Sequence, residues 1–177
     1  MKVEFKRINA PKELPVDVPA TVAETPAPPL NDHLPKLTDR FLLAGKAIFT
    51  VSNSKGGHYT FKLRKIDSEY PQGSGKISTA FFLHVKATGG TYPFRYVGLA
   101  NSTTGAVKCT AKSEFVPGSK EYDVGQWALQ TVIGGKLIPD GYDIEHAGRC
   151  GKCGKMLTDP ESLERGIGPE CWKTAGA

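Results

Sequence analysis

Three cysteines near the C-terminus have the residue type and spacing of a metal site. Cys150 and Cys153 form a Cys-x2-Cys pair, and Cys171 follows further along the chain. Gly151 and Gly154 each follow one cysteine of the pair, so the chain can turn tightly and bring backbone N–H groups close to sulfur. This pattern is typical of a zinc knuckle. It predicts one structural Zn²⁺ per chain, with these three cysteines as ligands.

A tetrahedral zinc site needs a fourth ligand, and His146 is the leading candidate because it lies four residues before Cys150. The competing candidates are Glu145, Glu170, Cys109 and His84. Three cysteines and a histidine would fill the coordination shell, whereas a catalytic zinc keeps one position open. We therefore predict no catalytic residues, and a zinc-dependent enzyme is a minor alternative. The His-x-Glu pattern that a zinc deaminase requires upstream of its cysteines is absent.

The residues around the cysteines predict two short helices. Thr158 or Asp159 can cap a helix that runs from Pro160 to Arg165 and ends at Gly166. Gly168-Pro169 indicates a second helix start, with proline at the first helical position. Cys171 would then lie in the first turn of that helix, where free N–H groups and the helix dipole stabilise a thiolate.

The amino-acid sequence of this segment resembles that of a known family. Cys-x2-Cys-Gly-Lys-x-Leu-Thr-Asp-Pro-Glu-Ser, followed by Gly-Ile-Gly-Pro-Glu-Cys, is similar to a small zinc-ribbon-like domain of unknown function that is common in bacteriophage and actinobacterial proteins. The resemblance covers roughly residues 146–172. It implies metal ligation by the three cysteines and a phage or mobile-element setting, hence the cytoplasm of a bacterial host. It implies no activity.

Upstream of the cysteines, the sequence predicts a β-rich domain over residues 41–140. From residue 45 to 115 apolar and polar residues alternate with period two, which indicates half-buried strands. We expect a hairpin from 46–51 and 59–66, a central strand from 77 to 87, and a second hairpin from 92–100 and 106–111. Asp123 can cap a helix near 124–134. The predicted fold class is mainly β (α+β), with about five antiparallel strands and one helix before a zinc-ribbon or treble-clef-like module.

The ends of the chain complete the domain prediction. Residues 1–40 are read as a proline-rich arm or linker, partly disordered, because seven of the 13 prolines lie between residues 11 and 35. Residues 141–177 are read as the zinc-binding module. The first ten residues lack the apolar core of a secretory signal. No run approaches the roughly 20 apolar residues of a membrane span. We therefore expect a cytoplasmic protein without membrane contact.

Charge and aromatic content favour nucleic acid as the ligand of the β-rich domain. The formal net charge is +5, and residues 41–140 contain twelve Lys or Arg but six Asp or Glu. Basic side chains interleaved with aromatic rings on a sheet are typical of surfaces that hold nucleic acid. The predicted binding residues are Lys62, Arg64, Lys65, Lys86, Arg95, Lys108, Phe94 and Tyr96. The alternative is a protein-interaction factor that binds or inhibits a host protein, such as a defence or replication component.

Overall fold

The computed structural model describes residues 36–87 and 93–174. The predicted arm lies outside these ranges except for residues 36–40. In chain order the described elements are α1 (Asp39–Leu42), β1 (Lys46–Asn53), β2 (His58–Glu69), β3 (Ile77–Lys86), β4 (Phe94–Ala100), β5 (Val107–Lys108), α2 (Lys120–Ile133), β6 (Tyr142–His146), α3 (Pro160–Arg165) and α4 (Pro169–Thr174).

The strands form one antiparallel sheet in the order β5-β4-β3-β2-β1-β6. The mainly β fold class is confirmed. The first predicted hairpin is present, and in the second the strand predicted at 106–111 is only Val107–Lys108. The sheet has six strands instead of about five, because Tyr142–His146 pairs with β1 at the sheet edge. The sequence assigns these residues to the metal module. The pairing ties the start of that module directly to the sheet.

One face of the sheet is buried and carries the core. Phe49 on β1 lies opposite Phe61 on β2, with ring centroids 5.5 Å apart, and both side chains are fully buried. Helix α2 packs over this face. A Cβ placed on Gly125 of α2 would lie 2.8 Å from the Phe61 ring and 3.0 Å from Leu83. Glycine at this position therefore sets how closely the helix approaches the sheet.

The opposite face of the sheet, here called the open face, carries half-buried and exposed side chains. Residues directly opposite each other in adjacent strands point to the same side, so the register identifies the members of this face. Lys62 lies opposite His84, which lies opposite Tyr96. A register shift between Leu83 and His84 buries Val97 and brings Leu99 opposite Phe82. The central members are Lys46, Lys62, Arg64, Phe82, His84, Lys86, Phe94, Tyr96 and Lys108.

The C-terminal segment shares the core of the sheet. Phe41 of α1 is fully buried in the same cluster as Phe49, Cys150 and Ile167. Within residues 36–87 and 93–174, no helix is both long enough and apolar enough to cross a membrane.

Candidate metal centre

The Cys-x2-Cys pair lies in a tight backbone turn. The N–H of Gly154 donates to the carbonyl of Cys150 at 2.9 Å, and the N–H of Cys150 donates to the carbonyl of Lys155 at 2.8 Å. Gly154 has φ +82°, a conformation that side chains with a Cβ rarely adopt. Glycine after the second cysteine is therefore what lets the chain fold back on itself as the sequence predicts.

Two short helices bring Cys171 to this turn. The Asp159 side chain accepts a hydrogen bond from the N–H of Ser162 and caps α3, which ends at Gly166 with φ 68°. Helix α4 begins at Pro169, so Cys171 lies in its first turn. Of the two predicted cap residues, Asp159 rather than Thr158 caps the helix. The other helix boundaries in this segment agree with the sequence prediction.

The three cysteines converge on one point. Their Sγ atoms all lie within 4.8 Å of one another. Sulfur ligands at about 2.3 Å from a tetrahedral zinc would be about 3.8 Å apart. Small side-chain movements therefore suffice to reach that geometry. The cluster fits a metal ion both in spacing and in the chemistry of its three soft donors.

The surroundings of the cluster affect its thiols differently. Burial alone would raise the pKa of Cys150, but N–H groups of Cys153, Gly168 and Lys152 donate to its sulfur and hold the pKa at about 7. Burial raises the pKa of Cys171 to about 11, and hydrogen bonds with Cys153 and Cys150 act in the same direction. This differs from the thiolate stabilisation expected at the start of a helix. Backbone donors aimed at one sulfur are what a zinc knuckle supplies to a bound thiolate.

His146 is not brought to the cysteines, so the structure does not support it as the fourth ligand. Its Nε2–H donates to the carbonyl of Leu163 at 2.5 Å, and its Nδ1 accepts from the N–H of Gly148 at 2.9 Å. Both ring nitrogens are thus occupied, which leaves no lone pair for a metal. The strand pairing also places His146 opposite Phe49, on the buried side of the sheet edge.

The other candidates for the fourth ligand have different surroundings. The Glu145 carboxylate is bonded by Lys36, and the Cys109 thiol donates to the carbonyl of Phe115. His84 belongs to the open face. Glu170 lines the same cavity as the cysteines, but its carboxylate pairs with Lys173 at 3.1 Å. Over the described ranges, no further His, Cys, Asp or Glu joins the cluster at ligand spacing.

A cavity of about 420 Å³ adjoins the cluster. All three cysteines line it, together with Met156, Leu157, Asp159, Ser162 and Glu170 among others. Ser162 is 1% exposed, and its hydroxyl has no hydrogen-bond partner in the described structure. The sequence analysis missed Ser162 as a site residue. Its signals in the sequence were its position three residues after the Asp159 cap and its place in the string that carries the family resemblance.

The module is fastened to the sheet domain through α1. The ring of Phe41 lies against Gly151 and Gly166, where an added Cβ would come within 2.7 Å and 2.6 Å of it. The Arg40 guanidinium stacks on the Trp172 ring at 3.6 Å and donates to the Trp172 carbonyl. The glycines of the cysteine loop and of the α3 cap therefore also make room for a core aromatic ring.

The residues predicted to bind nucleic acid divide between two sides of the sheet. Six share the open face: Lys62, Arg64, Lys86, Lys108, Phe94 and Tyr96. Lys65 and Arg95 lie opposite Phe81 and Val85, whose side chains point to the buried side. Each of these two is also paired with a carboxylate, Asp67 and Glu114 respectively.

The open face also contains Lys46, Phe82 and His84, which were not predicted to bind nucleic acid. The Tyr96 ring lies 6.1 Å from Phe82 and 5.5 Å from His84, so it neighbours both rings. Burial lowers the pKa of His84, and the nearby cations Arg64 and Lys62 lower it further. Period-two alternation within β3 is a signal that could have identified Phe82 and His84, because Phe82, His84 and Lys86 alternate with the buried Phe81, Leu83 and Val85.

Comparison with known proteins finds a match for the cysteine segment. Residues 143–176 match a family of unknown function (DUF6011). No curated protein and no solved structure gives a significant match to the chain. The family match covers the turn, both short helices and all three cysteines. The C-terminal segment is therefore similar to a recurring small cysteine-containing module, while the sheet domain is described by its geometry alone.

Proposed function

We propose that the protein binds single-stranded nucleic acid through the open face of its sheet and that the cysteine module holds one structural zinc. The observation that carries the binding proposal is the shared face of six predicted residues. Cations and aromatic rings dispersed along the chain come together only through the strand register. The setting that the family resemblance implies, a phage protein acting in the bacterial cytoplasm, belongs to this proposal.

The charges of the open face suit a polyanion. Lys62, Arg64 and Lys86 lie on the two central strands, and Lys46 and Lys108 extend the cationic surface toward its sides. Acidic side chains on this side of the described sheet lie on the edge strand β6, where Asp143 and Glu145 both bond to Lys36. The centre of the face therefore presents positive charge to the phosphates of a bound strand.

The rings of the open face supply stacking surfaces beside these cations. The Tyr96 ring neighbours those of Phe82 and His84, and the Lys62 ammonium lies 5.5 Å from the Phe94 ring centroid. All of these aromatic side chains are half-buried, so each is held by its neighbours and still has accessible ring surface. Stacking of bases on such rings tolerates any sequence, because every base has a π-face.

For the metal we propose zinc, one per chain. Thiolate ligands select zinc among the common divalent ions of the cell, and a three-cysteine cluster has no oxygen ligands of the kind that magnesium or calcium prefers. The ion would join the knuckle turn to α4, which have few apolar side chains of their own. This role is structural and does not need a reacting substrate.

The binding proposal is tested by fluorescence anisotropy with single-stranded and double-stranded oligonucleotides at two salt concentrations. The double variant Lys62→Ala/Arg64→Ala should weaken binding of the single strand. The slope of log binding constant against log salt concentration should become less negative by about 0.7 for each lost phosphate contact. Tyr96→Ala should weaken binding by about 1–3 kcal/mol through lost stacking. Lys65→Ala/Arg95→Ala, which removes the same two charges from the other side of the sheet, is the matched control.

Two results would contradict the binding proposal. One is the absence of binding by the unmodified protein at low salt, which would favour the protein-interaction alternative. The other is equal weakening by the Lys62/Arg64 and the Lys65/Arg95 variants, because net charge alone would then explain the affinity.

A further inference from the structure

The described chain offers three ligands to a metal that prefers four. The sulfurs of Cys150, Cys153 and Cys171 form the cluster, and no other candidate side chain in residues 36–87 and 93–174 reaches it. The ring nitrogens of His146 are both committed to backbone groups. The described residues therefore supply three of the four ligands that the sequence predicts.

The space beside the cluster is built to receive a small ligand. The same three cysteines line a cavity of about 420 Å³, so an ion held by them would adjoin it. Some of the other lining residues are apolar, such as Met156 and Leu157. Others carry side-chain oxygens, such as Thr158 and Asp159. A cavity of this volume and mixed lining has room for a small polar molecule.

Ser162 supplies an independent sign of a ligand. Its side chain is 1% exposed and lines the cavity, and its hydroxyl has no partner among the described residues. A buried hydroxyl without a hydrogen bond costs about 1–3 kcal/mol, so such a group usually has a partner from solvent or from a bound ligand. The backbone N–H of Ser162 is already bonded to Asp159, which fixes the residue in place.

We propose that the fourth coordination position of the metal is taken by an exchangeable oxygen ligand from solvent, which Ser162 Oγ holds by a hydrogen bond. A small thiol entering the cavity can replace it: a metal–sulfur bond would form as the metal–oxygen bond breaks, the thiol proton would pass to the departing oxygen ligand or to solvent, and that ligand would leave as water. This inference rests on the proposed metal binding by the three cysteines. Ser162 is a positioning residue here and does not itself bind the metal.

X-ray absorption of the zinc-loaded, full-length protein gives the first test. The expected shell is three sulfurs at about 2.3 Å and one light atom at about 2.0–2.1 Å, without the scattering pattern of an imidazole. A shell of four sulfurs would overturn the proposal. So would an imidazole signal, which His33→Ala and His146→Ala would assign to one of these histidines. Failure to retain any zinc would overturn the metal proposal as well, so the two failures are distinguishable.

Cobalt substitution gives the second test and addresses Ser162. Addition of 2-mercaptoethanol to the cobalt-loaded protein should shift the visible absorption bands in a saturable way without loss of metal. Ser162→Ala should tighten thiol binding about threefold to tenfold, because the resident oxygen ligand loses a hydrogen bond and sulfur is the weaker acceptor. Ser74→Ala is the control. Unshifted bands, or equal thiol affinity in the Ser162 and Ser74 variants, would overturn the proposal.

Discussion

At the scale of single residues, His146 shows how a potential ligand becomes a structural connector. It ends strand β6, and its ring joins the carbonyl of Leu163 in α3 to the N–H of Gly148 in the loop before the knuckle. Its ring also lies 5.6 Å from that of Phe41. The side chain therefore holds the sheet edge, α3 and the core together.

We expect His146→Ala to retain its metal and lose stability. The cysteine cluster stays complete in the variant, so the metal content per chain should equal that of the unmodified protein. Loss of two hydrogen bonds should lower the free energy of unfolding by about 1–3 kcal/mol. Elemental analysis and urea unfolding measure the two effects, with the exposed His58→Ala as control. Loss of the metal at unchanged stability would mean that His146 is a ligand after all.

His84 should make the stability of the protein depend on pH. Burial, with Arg64 and Lys62 nearby, lowers its pKa in the folded state, whereas an unfolded histidine titrates near 6.5. Below about pH 6.5 the unfolded chain takes up a proton that the folded chain resists, so stability falls as the pH decreases toward the folded pKa. Above about pH 6.5 His84 is neutral in both states, so this loss of stability does not occur.

The measurement is urea unfolding of the unmodified protein and of His84→Gln at pH 7.5 and pH 5.5. The unmodified protein should lose more stability between these pH values than the variant does. His58→Gln should behave like the unmodified protein. Identical pH dependence in the His84 variant would contradict the assignment.

Residue spacing alone predicted the three cysteine ligands but could not settle the fourth. The Cys-x2-Cys turn is local, and the Asp159 and Gly166 signals place the helix that precedes α4. The direction of the His146 ring depends instead on pairing with β1, a strand about a hundred residues earlier. Four residues of separation from Cys150 permit contact with the cluster and equally permit contact with α3.

At the scale of elements, α2 is held against the sheet through Gly125. The glycine lies over Phe61 and Leu83, both fully buried. At the start of the helix, the buried Tyr122 hydroxyl donates to the carbonyl of Val107 and so fixes the helix to the short strand β5. Close approach at one position and a polar contact at another determine the position of the helix over the core.

Gly125→Ala should therefore destabilise the protein, although alanine favours helices. The added methyl group would lie 2.8 Å from the Phe61 ring, so the helix must move away from the sheet. Overpacking of this kind costs about 1–3 kcal/mol. Thermal or urea unfolding measures it, with Gln130→Ala in the same helix as control. Increased stability of the Gly125 variant would show that the helix is free to shift.

The elements with strong local patterns were predictable, and the weakly patterned ones were not. Alternation in β1 and β2 gave the correct hairpin, and the apolar run of β3 gave a strand without its partners. Strand β6 has only one buried residue, Ile144, between acidic neighbours, so its sequence alone reads as a connection. Helix α2 begins at Lys120 rather than after Asp123, because Ser119 has the extended backbone of a cap while the Asp123 carboxylate accepts from the N–H of Gly118.

At the scale of the whole molecule, the sheet and the metal module share one core. Phe41 is fully buried between them, and the N–H of Lys46 at the start of β1 donates to the carbonyl of Gly151 in the knuckle. The guanidinium groups of Arg40 and Arg165 both lie over the Trp172 ring, at 3.6 Å and 4.9 Å from its centroid. Changes at this junction should affect both parts.

Phe41→Ala should weaken metal binding without touching a ligand. Removal of a fully buried phenylalanine costs about 3–5 kcal/mol, and the cavity would lie directly against Gly151 and Gly166. We expect a lower unfolding midpoint and faster loss of zinc to a chelator. The exposed Leu137→Ala is the control. Zinc loss at the unmodified rate in a destabilised Phe41 variant would show that the module is independent of the core.

The residues that share the open face could be identified only from the pairing of the whole sheet. Side chains alternate along β2, so Lys65 points to the other side from Lys62 and Arg64. The side on which Phe94 and Tyr96 lie depends on pairing with β3, and the register shift beside His84 then reverses the alternation before Leu99. A bulge has no reliable signature in the sequence of one strand, so the residues of the face could be proposed but not grouped.

The most direct test of the central claim is the metal content of the full-length protein purified without chelator. Three thiolates at ligand spacing predict about one zinc per chain. Cys150→Ser and Cys171→Ser should each lose most of the metal. Cys109→Ser should retain it, because the Cys109 thiol donates a hydrogen bond to the carbonyl of Phe115 and is not part of the cluster. A metal-free unmodified protein, or equal metal loss in the Cys109 variant, would contradict the account.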